Sequence, residues 1–214
     1  MAKRKKVTKK KKHSVLFILS SPSGGGKTTV RKVLVKKDRK LVYIVSHTSR
    51  PKRPKEQNRR DYVFIKKNVF QRAIRNEAFL EWALVHGHYY GTPKRELVRR
   101  LARGQDCLLD IDTKGFMKIK KLRLPCVSIF ILPPSRSVLA QRLTERKTDT
   151  KDVIKKRLKN AEKEVKYSSL YNYVVINRTV AQTVRTIEQI IFTERLKYKK
   201  KDLIYGYVSS RKIS

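Results

Sequence analysis

Short apolar segments separated by amphipathic ones are the dominant pattern along this chain. Five segments are apolar without polar alternation, which indicates buried strands: residues 14–20, 41–46, 107–112, 127–132 and 173–177. Four segments carry apolar residues at helical spacing: residues 94–104, 137–147, 152–166 and 181–197. Buried strands that alternate with amphipathic helices are typical of a parallel sheet covered on both faces, so we predict an α/β fold.

Residues 46–92 interrupt this pattern with polar, aromatic and arginine-rich sequence. Within them, residues 61–65 and 79–87 have the pattern of half-exposed strands. We therefore expect an inserted lobe at 46–92 within one folded domain at 14–196. A chain of 214 residues is long enough for a domain of this kind to bury a continuous core.

The sequence has neither an apolar segment of membrane-spanning length nor an apolar leader close behind its basic start. Cys107 and Cys126 lie in apolar segments without metal-ligand spacing and are expected to be reduced core residues. His86 and His88 form an H-x-H pair without further ligands nearby, which favours ordinary surface or strand histidines over a zinc site. These features predict a soluble cytoplasmic protein that does not bind a membrane.

The formal net charge of +38 is the most unusual bulk property. Residues 1–13 contain eight Lys or Arg and no acidic residue, and residues 195–214 contain seven Lys or Arg and one Asp. We expect a basic disordered tail at 1–13, a basic tail at 197–214, and nonspecific, salt-dependent attraction to nucleic acid. A solvated arm or a lysine-rich composition is the simpler explanation, because no base-reading module accompanies the charge.

The glycine-rich segment "SPSGGGKT", residues 21–28, lies between a predicted strand and a predicted helix. This is the context of a phosphate-binding loop, in which backbone N–H groups and a helix N-terminus surround phosphate oxygens. Lys27 would then lie along the β- and γ-phosphates, and the Thr28 hydroxyl would bind Mg²⁺. The pattern G-x-x-x-x-G-K-[ST] has glycine where this chain has Ser21, so we expect a loosened but working loop.

Two arginines three residues apart, Arg50 and Arg53, lie in a proline-containing segment that does not suit a regular helix. Their guanidinium groups, together with the hydroxyl of Tyr62, suit a terminal phosphate monoester. A basic solvent-exposed loop explains the same segment equally well.

Glu81 is a lone carboxylate among aromatic and apolar residues, and its burial would be costly unless it accepted hydrogen bonds. Guanine presents two adjacent donors, N1–H and the N2 amino group, which one carboxylate can accept together. Adenine presents an unprotonated acceptor at this edge, so Glu81 would reject it. By itself, the segment is better explained by a surface glutamate on a strand.

In this order and spacing, these segments closely resemble the guanylate kinase family. The resemblance runs from about residue 14 to about residue 194 and rests on the motifs "SPSGGGKTT", "SHTSRPKR", "FLEWA", "YYGT", "LLDID", "IFILPPS" and "RLTERKTD". It implies a P-loop nucleoside monophosphate kinase fold with a parallel-sheet core, an inserted mixed α/β GMP-binding lobe and a helical lid at 136–166. It also implies phosphoryl transfer from ATP to GMP, and to dGMP, with Mg²⁺.

The same resemblance implies roles for individual residues. The residues expected around the guanine base are Ser46, Glu81, Thr92 and Asp112. The residues expected to hold the GMP phosphate are Arg50, Arg53, Tyr62 and Tyr90. The residues expected to bind ATP are Ser21, Pro22, Ser23, Gly24, Gly25, Gly26, Lys27, Thr28 and, near the adenine, Asn177. The catalytic cations are expected to be Lys27, Arg142, Arg146 and Arg157, and the metal-binding residues Thr28 and Asp110.

Plainer alternatives exist for these roles. Arg142 and Arg146 share one helical face, as surface salt-bridge residues also would, and Asp110 could be a strand-end carboxylate without a metal. The chain departs from the family pattern at three expected turns, where glycine is replaced by Lys55, Arg59 and Lys147. The rival function is a catalytically weak interaction module of the same fold, but such a module is expected to have lost some of the catalytic cations, which are all present.

Overall fold

The computed structural model describes residues 13–54, 56–85, 87–145 and 151–210, with backbone alone at 151–152 and 198–210. Several expectations therefore concern residues outside the described part of the chain: the tail at 1–13 except for His13, the turn residues Lys55 and Lys147, the H-x-H residue His86, and the lid arginine Arg146.

Five strands form a parallel sheet at the centre of the molecule. Their bounds are β1 Leu16–Ser20, β2 Leu41–Tyr43, β7 Asp106–Asp110, β8 Val127–Leu132 and β9 Tyr173–Ile176. The strand order is β2-β7-β1-β8-β9, and Ile18 in the central strand β1 lies opposite Leu109 on one side and Ser128 on the other. The predicted α/β fold with a parallel sheet is confirmed.

Helices cover both faces of this sheet. The bounds of these helices are α1 Lys27–Lys37, α3 Lys94–Ala102, α4 Thr113–Lys121 and α7 Val180–Ser210. Two further helices, α5 Arg136–Thr144 and α6 Lys151–Lys166, pack on each other in a separate cluster. On one face, Phe17 and Leu19 pack in a cluster with α1 and α7, and on the other Ile18 packs in a cluster with α3 and α4. Because the central strands β1, β7 and β8 are buried on both faces, their sequences are mostly apolar and do not alternate with polar residues.

A second sheet forms the lobe that projects from the first. Its strands are β3 His47–Thr48, β4 Val63–Phe64, β5 Phe79–Val85 and β6 His88–Pro93, in the order β4-β3-β6-β5. Helix α2, Lys67–Arg75, packs on it, and its Phe70 ring stacks on Phe79 and Tyr89 with ring centroids 4.4 and 5.3 Å away. The segments predicted as half-exposed strands correspond to β4 and β5.

Helix α7 continues to Ser210, past residue 196, where we expected the folded domain to end. Its backbone is thus helical through most of the segment predicted as a basic tail.

At the opposite side of the core, the carboxyl ends of β1, β7 and β9 meet at one edge of the parallel sheet. Ligands of open α/β folds bind at this edge, and the candidate site begins there.

Candidate active site

The segment between β1 and α1 is a loop shaped by two left-handed glycines. Gly24 has φ +92° and Gly26 has φ +91°, values that residues with a Cβ rarely adopt. Between them, Gly25 N–H donates to the Pro22 carbonyl oxygen at 2.9 Å. Helix α1 begins directly after Gly26, so its unpaired N–H groups and the positive end of its dipole face the loop. This geometry suits an anion.

Ser21, the departure from the loop pattern, adopts its position without backbone strain. Its φ is outside the left-handed region, its side chain is buried, and its Oγ donates to the Pro22 carbonyl oxygen at 3.1 Å. A Cβ added to Gly25 would lie 2.9 Å from the Ser21 Cβ. The side chain of Ser21 therefore occupies space that is available because residue 25 is glycine.

Lys27 is the first residue of α1 and contacts the end of β7. Its Nζ donates to the Ile111 carbonyl oxygen at 2.6 Å and pairs with Asp110 Oδ1 at 2.8 Å. The other oxygen of Asp110 accepts a hydrogen bond from Arg31 Nε at 3.1 Å. Lys27 is thus held beside the loop, and it must exchange Asp110 for a phosphate in order to act on a nucleotide. We did not predict a role for Arg31.

Asn177 and Arg142 approach the loop from the end of β9 and from α5. Asn177 is buried, its Nδ2 donates to the Gly25 carbonyl oxygen at 2.8 Å, and its Oδ1 accepts from Thr183 Oγ1 at 2.9 Å. Both bonds join the side-chain amide of Asn177 to other residues of the protein. The predicted contact of Asn177 with adenine therefore stays a prediction. Arg142 Nη2 donates to the Asn177 carbonyl oxygen at 3.1 Å.

The second terminal nitrogen of Arg142 is incompletely bonded. Nη1 is buried and has no hydrogen-bond partner among the described residues. It lies 4.0 Å from the position that a Cβ on Gly26 would occupy. A buried guanidinium nitrogen left in this state is costly, and an anion beside Gly26 would complete its bonding. A donor phosphate in the loop fits this requirement.

Helix α6 contributes two side chains to the same region. Glu164 Oε2 accepts the Ser23 N–H at 3.2 Å, and burial raises the pKa of Glu164. Arg157, a predicted lid residue, lines the cleft beside it. We did not predict Glu164, although its spacing of seven residues from Arg157 places both on one face of the helix. That spacing is the signal that sequence reasoning could have used.

The predicted phosphate-binding residues of the acceptor lobe lie together. Arg50 Nε donates to Tyr90 Oη at 3.1 Å, and Arg50 Nη2 pairs with Glu56 Oε1 at 2.7 Å. Burial opposes ionisation of Glu56, but bonds from Arg50 and the Arg53 N–H hold its pKa below its usual range. The rings of Tyr62 and Tyr90 meet edge to face with centroids 5.8 Å apart. Glu56, which orients Arg50, was not predicted.

Arg59 occupies a turn for which the family pattern has glycine. Its φ is +63°, in the left-handed region. Its N–H donates to the Tyr62 carbonyl oxygen at 2.8 Å, which closes the turn. The turn is therefore kept despite the loss of glycine, with a backbone strain of about 1 kcal/mol.

The predicted base-binding residues centre on Glu81, which is buried on β5. Its Oε1 accepts from Thr92 Oγ1 at 2.6 Å. Burial raises the pKa of Glu81 to about 7, the nearby Asp112 carboxylate adds to the rise, and the Thr92 bond opposes it. Asp112 Oδ1 accepts the Gly115 N–H at 2.8 Å and so caps α4. A Cβ on Gly115 would lie 2.7 Å from Glu81 Oε2 and would displace this carboxylate.

The loop, the phosphate-binding residues and the base-binding residues described above line or adjoin one cleft of about 270 Å³. The predicted residues that line it are Ser21, Pro22, Ser23, Gly24, Gly25, Gly26, Lys27, Thr28, Ser46, Arg53, Tyr62, Glu81, Tyr90, Asp110, Asp112 and Arg157. Three more predicted residues bond to lining residues: Arg50, Thr92 and Asn177. Arg142 bonds in turn to the Asn177 carbonyl oxygen. Lining residues that we did not predict include Thr29, Ala83, Val85, Gly91, Ile111 and Glu164.

Oxygen ligands for Mg²⁺ are available in the cleft. Within residues 13–54, 56–85, 87–145 and 151–210, no group of three or more His, Cys, Asp or Glu could hold a metal ion. Mg²⁺ in phosphoryl-transfer sites is bound through one or two carboxylates together with substrate phosphates and water, so a small set of protein ligands suits it. The Thr28 hydroxyl and the Asp110 carboxylate are of this kind and line the same cleft.

The remaining sequence expectations concern the cysteines and the membrane. Both cysteines are free; Cys107 is buried and Cys126 is partly buried, and burial raises the pKa of both thiols. Cys107 is part of the core as predicted, Cys126 packs against the core, and their reduced state stays a prediction. In the described part of the chain, no helix combines the length and apolar character needed to cross a membrane.

Comparison with known proteins agrees with the geometry. The family model for guanylate kinase matches residues 13–194. The guanylate kinase of Caldanaerobacter subterraneus subsp. tengcongensis is 43% identical over 178 residues, which cover 83% of this chain and 86% of the relative. That of Carboxydothermus hydrogenoformans is 41% identical over 174 residues, which cover 81% and 85%. The crystal structure of guanylate kinase from Anaplasma phagocytophilum matches with a TM-score of 0.71 at 33% identity, covering 86% of this chain and 87% of that chain. The chain therefore belongs to the guanylate kinase family.

Proposed function

We propose that the chain is an ATP-dependent guanylate kinase that converts ATP and GMP to ADP and GDP. An oxygen of the GMP phosphate attacks the γ-phosphorus of ATP, and the bond from that phosphorus to the β–γ bridging oxygen breaks, so that ADP leaves with the electron pair. One observation carries the proposal: a phosphate-binding loop and a buried carboxylate suited to guanine, Glu81, line the same cleft.

At the donor end, the loop and the N-terminus of α1 bind the ATP phosphates. Lys27 leaves Asp110 for the β- and γ-phosphates, and Arg142 Nη1 completes its bonding on the same group. Mg²⁺, held by Thr28, Asp110 and the phosphates, would neutralise charge that develops between the β- and γ-phosphates. Positioned cations of this kind provide most of the catalysis in phosphoryl transfer, because no covalent intermediate is needed.

At the acceptor end, Arg50, Arg53, Tyr62 and Tyr90 hold the GMP phosphate. Glu81 accepts the N1–H and N2 amino donors of guanine, with Ser46, Thr92 and Asp112 around the base. Both donors favour the ionised form of Glu81, so GMP lowers the pKa of this carboxyl from its value of about 7 in the free protein. Recognition of the base and ionisation of Glu81 are therefore coupled.

The lid arginines act after both nucleotides are bound. The lid closes over the transferring phosphoryl group with three arginines: Arg142, Arg146 and Arg157. Closure excludes water, which strengthens the attraction between these arginines and the oxygens of the phosphoryl group. We assign dGMP as a second acceptor, because the proposed contacts involve the base and the phosphate and none requires the 2′-hydroxyl. A KM for dGMP far above that for GMP would contradict this assignment.

Product analysis tests the proposal. The full-length protein is incubated with ATP, GMP and Mg²⁺, and the nucleotides are separated by anion-exchange chromatography. We expect ADP and GDP to appear in equal amounts, and neither to appear when GMP is omitted. Release of ADP without GDP would instead identify an ATPase, and the proposal would be wrong.

We further propose that the enzyme is cytoplasmic and that its positive charge attracts nucleic acid weakly and without sequence preference. The free cysteines suit a reducing compartment, and the formal net charge of +38 suits polyanions. Binding to a random-sequence RNA is measured across salt concentrations with and without residues 1–13. We expect a steep salt dependence that becomes shallower on deletion; an unchanged slope would contradict a role for this tail.

A further inference from the structure

One buried charge on the donor helix has no part in the scheme above. Arg31 lies one turn after Lys27 on α1 and is only 4% exposed. A guanidinium group is expensive to remove from water, and its burial is tolerated when carboxylates pair with it. The partners of Arg31 identify the parts of the protein that it holds together.

Two carboxylates from different parts of the fold contact Arg31. Its Nε donates to Asp110 Oδ2 at 3.1 Å, at the end of β7, and its Nη2 lies 3.7 Å from Asp61 Oδ1, in the acceptor lobe. The ring of Tyr43 covers one face of the guanidinium, with Arg31 Cζ 3.9 Å from the ring centroid. Arg31 therefore bridges the donor edge of the main sheet and the acceptor lobe.

Asp110 is shared between Arg31 and Lys27. Lys27 pairs with Oδ1 at 2.8 Å, and Arg31 bonds to Oδ2 at 3.1 Å, so each oxygen has its own cation. When Lys27 turns to a donor phosphate, Oδ1 loses its partner while Arg31 remains. Oδ1 is then open to the Mg²⁺ proposed above while Oδ2 keeps Arg31, so binding at the donor end changes the charge that Arg31 faces across Asp110.

Asp61 fixes the other end of the bridge. It is buried, and it accepts bonds from Lys32 at 2.7 Å, the Gln57 N–H at 3.0 Å and Arg60 at 2.8 Å. Burial acts in the opposite direction, but these donors hold the pKa of Asp61 well below its usual range. Asp61 thus remains an anion, and the next residue is Tyr62, one of the proposed ligands of the GMP phosphate.

We infer that Arg31 is a positioning residue that couples the two substrate sites. Occupation of the donor loop draws Lys27 from Asp110, Arg31 follows the carboxylate, and Asp61 with Tyr62 is set in the conformation that binds GMP. Because the coupling is thermodynamic, GMP strengthens ATP binding by the same factor. This inference rests on the proposed function, since it needs a donor nucleotide in the loop.

The test is the affinity for GMP, measured by titration calorimetry with and without a nonhydrolysable ATP analogue and Mg²⁺. In the wild type, we expect the analogue to tighten GMP binding by about fivefold or more. Arg31→Met keeps the apolar stem but removes both ion pairs, so the factor should fall to about 1. Arg31→Lys keeps the charge but lacks the fork needed to reach both carboxylates, and should lose most of the factor.

A matched control comes from the same helix. Lys37→Met removes a cation from the exposed side of α1, where Lys37 lies 3.5 Å from Glu188. This variant should keep the wild-type coupling factor. Asp61→Asn removes the carboxylate at the acceptor-lobe end of the bridge, and it should lose most of the coupling factor, as Arg31→Lys does. The double variant Arg31→Lys/Asp61→Asn should lose no more of the coupling factor than either single variant.

Near-UV circular dichroism identifies the variants that retain the native fold. A folded Arg31→Met, Arg31→Lys or Asp61→Asn chain with the wild-type coupling factor would overturn the inference, and so would a wild type whose factor is 1. If Arg31→Met does not fold, the other two variants decide. These failures are distinct from failure of the proposed function, in which the wild type makes no GDP at all.

Discussion

The two ends of the cleft are built in different ways. The donor loop is one continuous segment, residues 21–28, whose shape depends on left-handed glycines and on the support of Asn177. The acceptor end gathers side chains from segments far apart in the chain, and its central carboxylate, Glu81, has a pKa of about 7 because it is buried. In the proposed function, the donor end therefore provides general phosphate binding, and the acceptor end selects the base.

Removal of the donor cation should separate the two ends most strongly. In Lys27→Ala, the charge that develops on the transferring group loses its nearest positioned cation, and we expect kcat to fall about 10³-fold. GMP affinity in the absence of ATP should not fall, and the coupling through Asp110 and Arg31 should tighten it, because Asp110 has already lost its contact with Lys27. Steady-state kinetics and calorimetry measure both quantities, with Lys36→Ala on the exposed side of α1 as the control. A normal kcat would remove the donor loop from the mechanism.

Glu81→Gln should damage the acceptor end alone. The amide replaces one of the two acceptor oxygens with an NH2 donor that faces a guanine donor, so we expect kcat/KM for GMP to fall about 10²-fold or more while ATP affinity is unchanged. The raised pKa of Glu81 means that the free protein favours the uncharged carboxyl. The uncharged Glu81 carboxyl contributes to the free energy of unfolding at low pH, and this contribution is lost as the pH rises from about 4.5 through about 7. At pH 8 the variant should therefore melt at the same temperature as the wild type or higher.

The matched control for Glu81→Gln is Glu188→Gln, which alters a carboxylate on α7 far from the base subsite. It should leave kcat/KM for GMP at the wild-type value. A Glu81→Gln enzyme with normal GMP kinetics, or one whose ATP affinity falls as much as its GMP affinity, would contradict the division of labour between the two ends.

The pH dependence should distinguish the substrates. Since the pKa of Glu81 is about 7 in the free protein, its ionised fraction increases between pH 6 and pH 8. Only the ionised carboxylate accepts both guanine donors, so KM for GMP should fall about tenfold over this range. KM for ATP should lack this transition. The GMP phosphate ionises in the same way when the Glu81→Gln variant is the enzyme. If KM for GMP depends equally on pH in this variant, the ionisation of GMP and not that of Glu81 causes the effect.

The smallest predicted effect concerns the loop itself. Gly25→Ala places a Cβ 2.9 Å from that of Ser21, and we expect KM for ATP to increase about fivefold through local overpacking. Ser21→Gly alone should change KM for ATP less. The double variant should recover most of the loss, because the two side chains compete for one space. Steady-state kinetics of the four proteins measure this, and additive effects would exclude the shared space.

The sequence located the loop between β1 and α1, because its residues are consecutive and the spacing of glycine, lysine and threonine is characteristic. The nucleotide-binding roles of these residues stay predictions. The sequence also predicted the parallel sheet, because strands buried on both faces are mostly apolar. Helices α2 and α4 were not predicted, although Phe70 and Ile74 in α2 and Phe116 and Ile119 in α4 recur at helical spacing, so the signal was present in the sequence.

Arg31 could not be assigned a role from the sequence. In a chain with 55 Lys and Arg, one more arginine carries little information. The role of Arg31 follows from its contact with Asp110, which lies 79 positions away in the chain. The pKa of Glu81 is likewise a property of burial in the folded lobe, so the sequence indicated a candidate carboxylate but not its ionisation.

Selectivity between acceptors tests the central claim most directly. The full-length protein is assayed with ATP and Mg²⁺ by coupled detection of ADP, and kcat/KM is compared for GMP, AMP and UMP. The account predicts that GMP is preferred over AMP by about 10³-fold or more, because AMP presents an acceptor to Glu81 where GMP presents a donor. Equal efficiency with AMP, or no ADP formation with GMP, would contradict it.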